Sequence, residues 1–262
     1  MRTLAVIAAL LVAVLPVRGD GEALLSAVYG AWSQSAGGGG GRSLPAWMPS
    51  NCAAWYPMTD ATTEFCYDWS ENESHGTQTN SSWRVTVNES GYLECGAGID
   101  GYFMPGPNTT NAWSMLTWVW CDPTSPAHEY MFHTYIYGAK WAKWGYYAFD
   151  GEGPKQFRFS FDGDDWWGVS PVYSRWVLFG MCWSGDRGYM SVNNAGWALY
   201  DSGCDGDVPM NSGTTWFLGF PSGATGWKGK IGPCVIFDRV TTAGENALFY
   251  TNSIADFPYL GE

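Results

Sequence analysis

The feature that most restricts this chain is a set of short runs in which large apolar side chains recur at every second position. Gln156-Phe157-Arg158-Phe159-Ser160-Phe161 places a ring at alternate residues, and Ser114 to Trp120 sets Met115, Thr117 and Val119 on one face and Leu116, Trp118 and Trp120 on the other. A period of two is the repeat of a β-strand, whose successive side chains point to opposite faces. The chain holds 34 Gly, 14 Pro, 17 Trp, 15 Tyr and 13 Phe in 262 residues, of which 15% are charged. Aromatic residues suit half-buried pleated surfaces, and Gly and Pro supply the turns between many short strands. These features predict an all-β protein, and the length fits one large sandwich or two small domains.

The formal net charge of -12 repels polyphosphate, so nucleic acid is not an expected partner. At the N-terminus Arg2 precedes the apolar run Leu4 to Leu15, followed by Pro16-Val17-Arg18-Gly19, with residues small enough for a cleavage site. Residues 1–19 read as a secretory signal peptide, with an uncleaved anchor as the other reading; the run is shorter than the ~20 residues needed to span a bilayer. No membrane span is expected after cleavage. Residues 20–49 read as a tail and linker. Ala23, Leu24, Ala27, Val28 and Ala31 recur at helical spacing, and Gly37 to Gly41 removes side-chain restraint from five successive positions. The segment serves as a spacer or as a tether to a neighbouring subunit.

The segment from Trp216 to Tyr250 resembles the closing part of a laminin G-like, concanavalin A-like jelly roll. One strand ends in a glycine turn, a second ends in Phe237-Asp238-Arg239, and a short acidic helical turn follows at Glu245. Ala54-Trp55-Tyr56-Pro57-Met58 is similar to the family's opening strand, Arg175 to Met181 to a central strand, and Gly188 to Asn194 to a hairpin in which Asn194 stands where Gly is usual. Asn tolerates the left-handed conformation of such a turn. The resemblance implies a two-sheet antiparallel jelly-roll sandwich over residues 50–256, a short helical N-terminal segment, and a C-terminal tail over 257–262. It also implies a protein that binds glycans or other proteins outside the cell.

Seven cysteines behind a signal peptide imply disulfides, with an odd one left free or joined to another chain. Connectivity does not follow from spacing. Similarity to pentraxins, which share the sandwich, implies a bond between Cys121 and Cys182, and Cys66 with Cys95 is a weaker expectation. Asn72, Asn80, Asn88 and Asn108 begin Asn-x-Ser/Thr triplets, which in a secreted eukaryotic protein mark exposed, glycosylated loops.

No Glu-x-Asp-x-x-Glu strand of the kind used by β-glucan hydrolases of this fold is present, nor a G-x-S-x-G elbow, and His75, His128 and His133 are the only histidines. The sequence therefore predicts a chain that is not an enzyme. The family often holds calcium in its rim loops, and the resemblance makes Asp60, Asp68, Asp162 and Asp164 the candidate ligands, against the alternative of solvated turn carboxylates.

The expected ligand surface is built from aromatics at both alternating positions: Tyr137, Trp141, Trp144 and Tyr146, with Asp165, Trp166 and Trp167 nearby. Sugar C–H faces stack on such rings, and neighbouring polar groups bond the hydroxyls. The alternative is that these rings belong to a very aromatic core. The leading expectation is a secreted non-catalytic glycan-binding or adhesion module whose partner is a glycan or glycoprotein. A structural subunit of an extracellular or virion-surface assembly, joined through the N-terminal tail or an unpaired cysteine, is the alternative, and a glycoside hydrolase or lyase the third.

Overall fold

The computed structural model describes residues 42–49, 51–78, 85–96, 100–106, 109, 112–124, 129–136, 140–147, 156–161, 167–169, 172–185, 187–193, 196–200, 215–220 and 228–262. The expected signal peptide and N-terminal helix lie outside the described residues. Sixteen strands run through these segments in chain order. They are β1 (Cys52–Tyr56), β2 (Phe65–Cys66), β3 (Gly76–Thr77), β4 (Thr86–Val87), β5 (Leu93–Cys95), β6 (Asp100–Pro105), β7 (Trp113–Cys121) and β8 (Glu129–Ile136). Then come β9 (Lys140–Tyr147), β10 (Gln156–Phe161), β11 (Trp167–Val169), β12 (Trp176–Trp183), β13 (Gly188–Val192), β14 (Ala198–Tyr200), β15 (Thr215–Phe220) and β16 (Gly229–Phe237). One helix, α1 (Ala243–Asp256), and a 3-10 turn over Pro258–Gly261 complete the described structure.

The strands form two antiparallel sheets. Sheet A has the order β14-β13-β12-β7-β16-β5-β4, with β1 also paired to β16, and sheet B has the order β11-β10-β9-β8-β15-β6-β3-β2. β7 sits at the centre of sheet A, and its alternation sorts as its sequence requires. Met115 and Val119 join an inner cluster with Tyr102, Met104, Trp216 and Leu218 of sheet B, while Leu116 and Trp118 join an outer cluster with Phe237 and Phe249. Sheet A is therefore apolar on both faces, which explains why β7, β12 and β16 read as almost unbroken apolar runs.

Helix α1 covers the outer face. Fourteen residues make a marginal helix in isolation, so its stability comes from burial. Phe249 is fully buried and meets Trp55 edge-on at 5.8 Å, Tyr250 stacks on Trp118 at 5.2 Å, and the Trp118 indole N–H donates to Ser253 Oγ at 2.7 Å. Its start is a reciprocal cap: the Thr242 hydroxyl accepts from Glu245 N at 3.2 Å, and Glu245 Oε2 accepts from Thr242 N at 2.8 Å. Arg239 donates to both oxygens of the same carboxylate, with Nη1 to Oε2 at 2.9 Å. The Asp-Arg ending and the acidic turn of the sequence are thus two halves of one clamp.

The expected domain limits need correction at both ends. The compact unit runs from Ser43 to Glu262. Leu44, Trp47 and Met48 pack on the outer cluster, and the Trp47 indole donates to Asp256 Oδ2 at 2.8 Å. Residues 257–262 are not a tail, because Phe257 and Leu260 are buried in that cluster. In the expected Gly188–Asn194 hairpin the left-handed residue is Asn193, with φ 55°, whose Oδ1 accepts from Leu178 N at 3.2 Å; Asn194 lies outside the described residues.

Candidate functional site

Sheet B carries most of the expected ligand residues, and strand register divides them. Trp144 on β9 stands opposite Phe132 on β8 and Phe159 on β10. Phe132 in turn is opposite Leu218, Leu218 opposite Tyr102, and Phe159 opposite Trp167. One cross-strand row therefore runs Trp167, Phe159, Trp144, Phe132, Leu218, Tyr102, and its last two members are buried in the inner cluster. Tyr146, two residues along β9, has the parity of Trp144.

Trp141 belongs to the other parity. It stands opposite Tyr135, and Lys143 stands opposite His133 and Ser160, while Arg158 stands opposite Gly145. The expected aromatic platform is therefore split between two sets of rows, and the rows of Trp141 bring together Lys143, His133, Ser160 and Arg158, which sequence reading did not join. The signal was present in the alternation of β10, but the partner strands are fixed only by pairing. Tyr137, Asp165 and Trp166 lie outside the described residues.

The first rim loop was expected to offer Asp60 and Asp68 to calcium. Asp68 is buried at 1% exposure and is fully engaged as an acceptor. Its Oδ1 accepts from Trp55 N and Ser70 N, each at 2.8 Å, and its Oδ2 from Ser70 Oγ at 2.8 Å and Ser74 N at 2.9 Å. Asp68 N donates to His75 Nδ1 at 3.1 Å, and Asp60 Oδ2 accepts from the Trp69 indole at 3.1 Å. The arrangement ties residues 67–76 to β1 and uses the oxygens of Asp68 for backbone donors. Among the described residues no three His, Cys, Asp or Glu side chains gather as metal ligands. Asp162 and Asp164 lie outside the described residues.

The Cys121–Cys182 bond is ruled out by register. Cys182 is opposite Ser114, and Cys121 lies seven residues further along β7, so the two are about 23 Å apart along the strand at ~3.3 Å per residue. A disulfide needs Cα atoms within about 7 Å. Cys66 and Cys95 belong to opposite sheets within the inner cluster and are not bonded to each other. Burial pushes the thiols of Cys66, Cys182 and Cys234 well above the ordinary cysteine range, so they stay protonated and poorly nucleophilic. Of the triplet asparagines, Asn72 is exposed but its Nδ2 donates to the Ala53 carbonyl at 2.7 Å, and Asn88 Nδ2 donates to Glu94 Oε1 at 3.3 Å. Asn80 and Asn108 lie outside the described residues.

No family model and no curated protein matches this sequence. Solved structures do match. Trypanosoma rangeli sialidase superposes with a TM-score of 0.61 at 13% identity, over 89% of this chain and 39% of that chain. The same sialidase in complex with sialic acid gives 0.60 at 12% identity. Domain 4 of AbnA, a GH43 extracellular arabinanase from Geobacillus stearothermophilus, in complex with arabinotriose, superposes with a TM-score of 0.59 at 15% identity, over 75% of this chain and 97% of that chain. At these identities the likeness is one of fold, and the chain spans 39% of the length of the sialidase it matches.

The comparisons correct two expectations. The non-catalytic binding or adhesion module rested on the resemblance to a laminin G-like sandwich, and the reading that the chain is not an enzyme rested on missing motifs of other hydrolases. The fold is instead shared with part of a sialidase, over 39% of that chain, and with domain 4 of an arabinanase. The absence of one family's carboxylate strand carries no weight when the chemistry is set on the fold by loops and rows of other kinds.

Proposed function

We propose that this chain is a domain of the glycoside hydrolase type, built on a concanavalin A-like jelly roll, that holds a glycan while one of its glycosidic bonds is hydrolysed outside the cell. The observation that carries this reading is the match to nearly the whole of an arabinanase domain solved with arabinotriose, alongside a match of similar TM-score to part of a sialidase. The apolar N-terminal run supports secretion, and no described helix is long and apolar enough to cross a membrane. The glycan lies over the rows of sheet B that hold Trp141, Lys143, His133, Ser160 and Arg158. An indole for the sugar C–H face and nitrogen and hydroxyl groups for its oxygens are what such a ligand requires.

The test is release of sugar from sialyl- and arabino-oligosaccharides by the purified protein, together with their binding measured by calorimetry. Cleavage or binding of one class is expected, and Trp141→Ala weakens it by about tenfold or more, the usual effect of removing an aromatic anchor. Neither cleavage nor binding of either class would overturn the proposal.

A further inference from the structure

On the outer side of sheet A one cross-strand row runs Thr86, Glu94, Lys230, Trp120, Trp176. Burial rises along it, from exposed Thr86 through half-buried Glu94, Lys230 and Trp120 to Trp176 at 9% exposure. The row therefore enters the protein from solvent, beyond the part of the face that α1 covers.

Tyr92 stands beside it, edge-on to Trp176 at 5.4 Å and tilted against Tyr259 at 5.1 Å. The Tyr259 hydroxyl donates to the Gly91 carbonyl at 2.9 Å. Gly91, at φ 84°, makes the turn that delivers Tyr92, and a Cβ there would come within 2.8 Å of Thr59 Cγ2. The rings are thus held before any ligand arrives, which lowers the entropy cost of binding.

Lys230 Nζ lies 4.9 Å from the ring centroids of both Tyr92 and Trp120. Among the described residues it makes neither a hydrogen bond nor an ion pair, although Glu94 is its cross-strand partner. Glu94 Oε1 accepts from Asn88 Nδ2, which leaves the carboxylate with acceptor capacity to spare. Three ammonium donors, an indole, a phenol and an under-used carboxylate around half-buried rings match the chemistry of a sugar, whose C–H face needs an aromatic surface and whose hydroxyls need donors and acceptors together.

The geometry points to a second glycan subsite, on the outer side of sheet A, in which Trp120 and Tyr92 receive a neutral sugar residue and Lys230 and Glu94 bond its hydroxyls. A neutral residue is specified because Glu94 offsets the charge of Lys230 and the chain as a whole carries -12. The inference rests on the glycan reading above and adds a second point of attachment for the same chain of sugars. Two attachment points on one glycan raise its effective concentration at either site.

The experiment uses the full chain made without N-glycosylation, because Asn88 borders the subsite. Arabinotriose and 3'-sialyllactose are titrated calorimetrically into the wild type, Lys230→Met, Trp120→Ala and Trp141→Ala. Lys230→Met keeps an apolar stem over the rings and serves where Trp120→Ala fails to fold, as judged by its melting profile. The expected result is that arabinotriose binding loses about tenfold or more in Lys230→Met and Trp120→Ala, while a component lost in Trp141→Ala remains in both. Unchanged arabinotriose binding in Lys230→Met, or binding of the sialylated probe alone, overturns the subsite and leaves the glycan reading standing. A wild type that binds and cleaves nothing overturns both.

Discussion

At the residue scale, buried polar groups are the least legible from sequence and the most exacting in the fold. Asp68 read as a rim-loop carboxylate suited to calcium, yet it accepts four donors at 2.8 to 2.9 Å, three of them backbone N–H groups. Removing it strands those donors in a nearly closed space. Asp68→Ala is expected to lower unfolding stability by about 3–5 kcal/mol, the usual cost of deleting one partner from a buried charged network. Urea denaturation measures it, and a loss below about 1 kcal/mol would show that water replaces the carboxylate without penalty. Lys230 makes the complementary point. Its place next to Ile231 in a strand was readable, but nothing local says that Tyr92 and Trp120, each more than a hundred residues before it in the chain, converge on its ammonium.

At the element scale, alternation and capping were read with most success. β7 divides its side chains as the period of two requires, and what pairing added was which face lies between the sheets. The Phe-Asp-Arg ending and the acidic turn correspond to the clamp of Arg239 on Glu245 at the start of α1. Hydrogen bonds from Arg239, and then from Thr242, bring the Glu245 carboxyl down from its ordinary value of 4.5 to about 2. Because the folded value is depressed, this contribution is complete above about pH 4.5 and is lost as pH falls through about 2. Thermal melts of the wild type are therefore expected to fall more steeply across that window than those of Glu245→Gln, which keeps the cap geometry but does not titrate there. Parallel curves would count against the clamp. The charge that Glu245→Gln removes from this partly exposed ion pair contributes about 1 kcal/mol, so the difference in melting temperature at neutral pH is a few degrees.

At the scale of the whole molecule, the extent of the folded unit was misread because short flanking segments carry no periodic signal. Residues 257–262 looked like a tail, but Phe257 and Leu260 close the outer cluster over Trp55 and Trp176. Truncation after Asp256 is expected to cost several kcal/mol, since burying one such side chain is worth about 1.5–3 kcal/mol. It should also raise dye binding by the newly exposed apolar surface. A truncated chain with unchanged unfolding would mean that the segment is ornamental. The cysteines tell a similar story: the resemblance to pentraxins implied a bond between Cys121 and Cys182, and only the antiparallel register of β7 and β12 shows that the pair sits at opposite ends of two neighbouring strands.

By itself the sequence determined that this chain builds β-strands, where its central strands lie, and how their side chains divide, because alternation and turn chemistry are local properties carried by neighbouring residues. The tertiary structure decided which strands are partners, hence which aromatic rows share a face, which carboxylates serve as anchors, and which cysteines can never meet. Those outcomes depend on contacts between segments far apart in the chain, and pairing by backbone hydrogen bonds leaves no mark on the residues that it brings together.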